Sequence, residues 1–282
     1  MEASQGGSAV GILTGRRAGG FQEAPVRPRI CVGPGRALYT GPGLELAPHF
    51  NVAKTIAVSL SQPFELRIWR ASGGWTEWRS RVVEVIPSET LHHLKSSGTM
   101  AFLYLDPLAD SGNPLSEETL RLGRERMQAS WQEAGISEAF VTFGLAGRLP
   151  RDGRIARVLV EIDRRPAAFG RLHDAAALAC LSSSRFRARF NAEVGLPFRR
   201  YRLWRRMAAV MRAIAAGGNL TDAALASGFS SSAHLSSAFK RMFGLAASDL
   251  VALGVEIDVS QDEVVLGQGS TGRGQASASR GT

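Results

Sequence analysis

The sequence predicts an α+β chain in two parts: a β-barrel or sandwich over residues 29–107, then an all-α unit over 152–251 holding two helix-turn-helix copies. Three observations carry this. Short β-branched and aromatic runs, punctuated by Gly, Pro and Ser, fill the first part. The second part places apolar residues at helical spacing and repeats itself. The positive charge is segregated: residues 151–251 hold 17 Lys+Arg against 7 Asp+Glu, and the remainder holds 17 against 18. The whole formal charge of +9 thus lies in one segment, the footprint of a polyanion-binding domain beside a neutral one.

The length of 282 residues fits two domains of ordinary size. No stretch approaches the roughly 20 apolar residues needed to span a bilayer. The opening "MEASQGGSAVGILTGRRAGG" has no sustained apolar core of a signal peptide. Cys31 and Cys180 lie far apart in different predicted domains, so no disulfide is expected and a reducing cytoplasm is the predicted compartment, on the nucleoid.

In chain order, residues 1–28 are Gly-, Ser- and Arg-rich without periodicity and read as disordered. Within 29–107, "KTIAVSL" puts Ile56, Val58 and Leu60 on one face, and "PFELRIW" does the same with Phe64, Leu66 and Ile68. "RVVEVIP" and "TMAFLYLDP" add further strands, and Pro107 ends this domain. A helical linker is expected over 108–151. In it Ser116 caps a helix at 115–134, with Glu117 and Glu118 in the first turn and Leu120, Met127 and Trp131 along one face. That face packs either on its own domain or in a dimer. "DGRIARVLVEIDRR" opens the helical unit with an Asp cap and Ile155, Val158, Leu159 and Ile162 at i, i+3, i+4, i+7; Pro166 stops it. Residues 252–282, ending in "GQGSTGRGQASASRGT", read as a flexible tail.

The repeat aligns "DAAALACLSSSRFRARFNAEVGLPF" with "TDAALASGFSSSAHLSSAFKRMFGLAA". Cys180 matches Gly228, Phe190 matches Phe239, and Gly195 matches Gly244. Each copy is a short Ala-rich helix, a tight turn, and a second helix with an inward pair: Phe186 and Phe190, or Leu235 and Phe239. Alanine lets two helices cross closely, and a terminal glycine suits a left-handed C-cap. Such a second helix fits a major groove about 12 Å wide. The long helix between the copies would hold the two on successive grooves of one DNA face.

With the apolar pairs inward, the outward face of the first copy is Ser184, Arg187, Ala188 and Asn191, flanked by Ser183, Arg185 and Arg189. In the second it is Ala233, Ser236, Ser237 and Lys240, flanked by Ser232, His234 and Arg241. The second face has no acid to repel phosphate and almost no bulk to hold it off base edges. Arginine pairs with guanine O6/N7 and asparagine with adenine; contact with phosphate alone would position the helix without specifying sequence. Arg199, Arg200, Arg202, Arg205 and Arg206 are expected at phosphate or solvent, and Trp204 in the core.

"ALASGFSSSAHLSSAFKRMFG" resembles the signature of AraC/XylS-type bacterial transcription regulators, and "LACLSSSRFRARFNAEVGLPFRRYRLWRRM" resembles the first helix-turn-helix of the same domain. The resemblance covers about 152–251, with both copies in the expected order. It implies a seven-helix DNA-binding domain with helices near 183–191 and 232–241 facing adjacent grooves. "GLAASDL" at 244–250 departs from the Ser-Pro pair and Tyr-Arg usual there. "PHFNVAKTIAVSLSQPFELRI" and "VIPSETLHHLKSSGTMAFLYLDP" resemble the cupin-like sensor half often fused to this domain.

Many cupins are metal enzymes. Here His92 and His93 are adjacent, so a strand turns only one inward. Adding His49 with Glu45 or Glu89 makes no convincing ligand set. No Gly-rich phosphate loop, Ser/His/Asp arrangement or CxxC is present. The expectation is a regulator and not an enzyme, with no cofactor. Double-stranded DNA is its partner, RNA polymerase a further one if it activates, and membranes are excluded. The barrel either binds a small-molecule effector or serves homodimerisation, with Trp69, Trp75 and Trp78 lining a pocket or anchoring loops. Two alternatives stand beside this: a nonspecific DNA-structuring protein, and a cupin metalloenzyme with an appended DNA-binding domain.

Overall fold

The structure, a computed structural model, describes residues 26–108, 110, 115–145 and 150–260. The expected disordered segment at 1–28 lies, up to residue 25, outside the described residues, as does the tail from 261.

The first nine strands are β1 (Arg29–Val32), β2 (Ala37–Pro42), β3 (His49–Phe50), β4 (Thr55–Ser59), β5 (Phe64–Ile68), β6 (Arg79–Arg81), β7 (Val83–Ile86), β8 (Leu91–Lys95) and β9 (Thr99–Tyr104). Helices α1 (Glu117–Ser130) and α2 (Ile136–Thr142) follow. Then come α3 (Gly153–Arg164), α4 (Leu172–Leu178), α5 (Ser183–Val194), α6 (Phe198–Ala215), α7 (Leu220–Ala226), α8 (Ser232–Phe243) and α9 (Ala247–Ala252), and a last strand, β10 (Glu256–Val259). The strands form a six-stranded sheet, ordered β10-β1-β2-β9-β4-β7, and a four-stranded sheet, β3-β8-β5-β6.

Alternation sorts the apolar residues into two cores. Ala57, Phe64, Leu66, Ile86, Leu94, Met100 and Phe102 fill the space between the two sheets. Ile56, Val58, Ala101 and Leu103 point to the other side of the larger sheet, where Met127, Phe140 and Phe143 cover them. β4 is therefore buried at every position, and a sheet apolar on both faces needs a second layer. This corrects the reading of 108–151 as a linker: α1 and α2 complete the barrel half. Ser116 caps α1 as expected, accepting from the Thr119 N–H, and Leu120 and Trp131 pack on the sheet.

Trp69, Trp75 and Trp78 line neither of the described cavities. Trp69 and Trp75 bridge across a turn, ring edge to ring face, while the Arg67 guanidinium lies 4.6 Å from the Trp75 ring and 4.5 Å from that of Trp78. They are loop anchors on the outside of the hairpin.

The helical half has one core, in which Ile155, Val158, Leu159 and Ile162 of α3 meet Phe186, Phe190, Phe198 and Trp204. It docks on the barrel. The Trp204 Nε1–H donates to Gly35 O at 2.8 Å, Tyr104 lies between Trp204 and Phe243, and the Ala47 N–H donates to Gly244 O at 2.9 Å. Gly244 is required there twice over. Its φ of +79° is left-handed, and an added Cβ would lie 2.7 Å from both Ala47 O and His49 Nδ1.

β10 corrects the flexible-tail reading of 252–282 for its first residues. It pairs in parallel with β1, Arg29 opposite Glu256 through Val32 opposite Val259. The edge of β1 offered a row of unpaired backbone groups, and a short strand satisfies them.

Candidate nucleic-acid interface

The two repeats fold into matching units. Ser182 caps α5 by accepting from the Arg185 N–H at 3.4 Å, and Ser231 caps α8 by accepting from the His234 N–H at 3.1 Å. Each helix ends on a left-handed glycine, Gly195 at φ +77° and Gly244 at φ +79°, whose N–H returns to Asn191 O and Lys240 O. The tight turns match too: Gly228 has φ +86°, and Cys180, its counterpart, is left-handed at φ +54°.

Inside each unit the expected pairs are buried: Phe186 and Phe190, and Leu235 and Phe239. The outer faces are open. Ser184, Arg185, Arg187, Ala188, Arg189 and Asn191 are exposed on α5, with Ser183 half-buried. Ala233, His234, Ser237, Lys240 and Arg241 are exposed on α8, with Ser232 and Ser236 half-buried. His234 is tethered more than the others. Its Nδ1 lies 3.0 Å from the Ser230 hydroxyl and its ring stands edge-on to Phe229, so it braces the turn. The barrel docks away from these faces, on the C-terminal end of α8 and the side of α6. α6, with 18 residues, is about 27 Å long and joins the units.

The arginine-rich stretch of α6 departs from expectation. Only Arg199 is fully exposed. Arg200 pairs with Glu89 of the barrel at 2.9 Å. Arg202 and Arg205 are buried, and Arg206 is half-buried and donates to Pro166 O. Arg205 lies between Asp163 and Asp106, its side chain only 5% exposed. Arg200 and Arg205 tie the helical half to the barrel, and Arg205 and Arg206 tie α6 to the preceding helical segment. Trp204 is core, as expected.

The barrel histidines separate as the strand pleat dictates. His92 points inward against His49, ring centroids 4.2 Å apart, and His93 points outward beside Trp78. Glu45 is exposed and Glu89 is turned to Arg200, so neither completes a ligand set. Among the described residues no group of three or more His, Cys, Asp or Glu is placed to hold a metal. Each buried ring contacts a carbonyl through Nδ1, His49 with Ala47 O and His92 with Thr90 O, both at 2.8 Å.

Burial and the neighbouring His92 push His49 down to about 3. The unfolded chain therefore binds the proton more readily, and the stability contributed at neutral pH is lost as pH falls from 6.5 towards 3. We expect the unfolding free energy, read from denaturant titrations, to drop through this window by up to ~1.4 kcal/mol per pH unit for each such group. His49→Gln should flatten the slope; a slope equal to that of the unsubstituted protein would refute the assignment.

Comparison with known proteins adds to this geometry. Residues 175–252 match the model of a helix-turn-helix domain family. No curated protein sequence matches the chain. Among solved structures, an apo variant of ToxT from Vibrio cholerae aligns with 78% of this chain and 97% of its own, at 12% identity and a TM-score of 0.51. ToxT from the same organism with an unsaturated fatty acid bound aligns with 82% and 96%, at 12% identity and a TM-score of 0.45. No helix among the described residues is long and apolar enough to cross a membrane. Residues 175–252 thus match a helix-turn-helix domain family, and the chain shares the two-part fold of that apo ToxT structure, a sheet-rich half followed by a helical half.

Proposed function

We propose that this DNA-binding regulator is sequence-specific, setting α5 and α8 into two successive major grooves on one face of the duplex, under the control of its barrel half. The observation that carries the reading is the matched pair of capped helices, each with an exposed polar face and a buried aromatic back, on one connecting helix. Arg187 and Asn191 are the base-reading candidates on α5. Ser236, Ser237 and Lys240 lie at the corresponding face of α8, where small side chains allow close approach.

The control reading rests on a cavity of ≈ 70 Å³ between the halves. Its walls include Leu38, Tyr39 and Tyr104 of the barrel, Trp204 and Met211 of α6, and Phe239 of α8. No charged side chain lines it, and the Tyr39 hydroxyl is engaged with Pro42 O at 2.7 Å. Burial raises both tyrosines far above the ordinary phenol range, so the walls stay neutral. The effector suited to it is small, apolar and uncharged, and it would touch α6, α8 and the sheet at once.

The test is fluorescence anisotropy with duplexes tiled upstream of the protein's own gene, at two salt concentrations with excess competitor DNA. A fragment that survives competition is expected. Binding that is uniform across tiles and collapses with salt would instead indicate counterion-driven coating. On the surviving fragment, Arg187→Ala should lose about 1–3 kcal/mol of discrimination at one base pair. An equal loss on every sequence would assign Arg187 to phosphate. Repeating the assay with neutral apolar compounds tests the effector.

A further inference from the structure

The helix-turn-helix match ends at residue 252, yet the chain makes one more element. Residues 253–255 turn back, with Gly254 at φ +66°, and β10 enters the sheet of the other half. Its ladder includes Glu256 N–H to Pro28 O and Ser260 N–H to Val32 O, both 2.9 Å. One ion pair supports it, Arg29 Nε to Asp258 Oδ2 at 2.6 Å, with both partners partly exposed. Glu256 and Val259 are exposed, and only Ile257 reaches the helical core. A four-residue edge strand with so little burial belongs to the low-stability end of a fold. Its place is nevertheless strategic, since it runs directly from α9, behind the second reading unit, onto β1.

We propose that β10 is a C-terminal clasp that holds the DNA-binding half seated on the barrel, and that its release about Gly254 frees that half to move. With the clasp closed, the helical half is joined to the barrel both through the chain entering α3 and through the β10 ladder. The remaining contacts, among them Trp204 with Gly35, Gly244 with Ala47, Arg200 with Glu89 and Arg205 with Asp106, then re-form at high effective concentration. With the clasp open, only the chain entering α3 remains as a tether. The clasp requires neither DNA nor an effector, so it stands apart from the functional reading above.

The register supplies the test. Cys31 is the Cα partner of Asp258, and its Sγ lies 3.9 Å from Asp258 Oδ2. Adjacent paired strand positions are within reach of a disulfide. In the full chain carrying Cys180→Ser, which removes the exposed thiol, Asp258→Cys oxidised with glutathione disulfide locks the strand, and reduction releases it. Asp258→Pro opens the clasp by removing a ladder donor and the ion pair. The readout is amide hydrogen exchange, by mass spectrometry without DNA, in peptides covering 35–47, 204–211 and 239–246. Exchange there should rise about tenfold or more in Asp258→Pro, and fall reversibly in the locked form, while β4 and β9 stay protected. Equal exchange in the oxidised and reduced forms would overturn the clasp, even if Asp258→Pro fails to fold. Failure of the disulfide to form would overturn the register on which the clasp rests.

Discussion

Phe239→Ala is expected to destabilise the second reading unit by about 3–5 kcal/mol. The ring is 3% exposed, sits 4.5 Å from the ring of Phe243, and forms part of the interdomain cavity wall. Its removal enlarges a void that already exists, and the flanking Trp204 and Tyr104 are held by their own contacts. The site cannot collapse around the missing ring, which puts the loss at the upper end of the range. Urea unfolding followed by far-ultraviolet circular dichroism should show an earlier loss of helix. An unchanged curve would remove Phe239 from the core and with it the orientation of α8. Because α8 also docks on β3, the barrel should lose part of its protection in the same variant.

Arg205→Ala is expected to cost about 1.5–3 kcal/mol, because the buried guanidinium spans the largely buried Asp106 and Asp163, whose side chain is 38% exposed and is compensated in part by water. The guanidinium joins Asp163 of α3 to Asp106 of the barrel and lies 5.9 Å from the Tyr201 ring. The packed surroundings raise the Asp163 carboxyl above its ordinary range against the pull of Arg205, although 38% of its side chain is exposed. Without the guanidinium it should rise further. A carboxyl with a raised folded pKa contributes stability below its unfolded value of 3.8 and loses it as pH rises. The deficit of the variant relative to the unsubstituted protein should therefore shrink as pH falls towards 3.8, as measured by denaturant midpoints. Arg205→Met, which keeps bulk without charge, should show the same trend. A deficit independent of pH would indicate lost packing alone.

The two substitutions differ in how far the sequence foretold them. Phe239 was legible, because a helix-turn-helix is local. Its inward pair is four residues apart, its cap is a serine at one end and its stop a glycine at the other, all within a dozen residues. Even the left-handed turn at Cys180 was foreshadowed by its alignment with Gly228. The outward residues of α5 and α8 follow from that same periodicity, so their exposure was readable. Arg205 was not. Arginine in a basic run reads as surface, and what buries it is Asp163 from another helix and Asp106 from another domain. The cover of α1 and α2 over the barrel was half visible. The apolar stripe of Leu120, Met127 and Trp131 was in the sequence, but the second face of β4 that it covers depends on which strands surround β4. β10 was invisible for the plainest reason: four residues carry almost no pattern, and the partner strand stands at the opposite end of the sequence.

That distance has a consequence for how the chain is made. β1 and β10 pair across 227 residues, so the larger sheet has an open edge from the time β1 is synthesised until residue 259 has left the ribosome. At about 5–20 residues per second, the interval is on the order of ten seconds or more. Over that time the barrel folds with a bare strand that any extended segment can join. Contacts of such separation form last, once everything between them has condensed. Closure of the sheet thus reports that both reading units have been completed, and a chain stopped short within them would be marked by its uncovered edge.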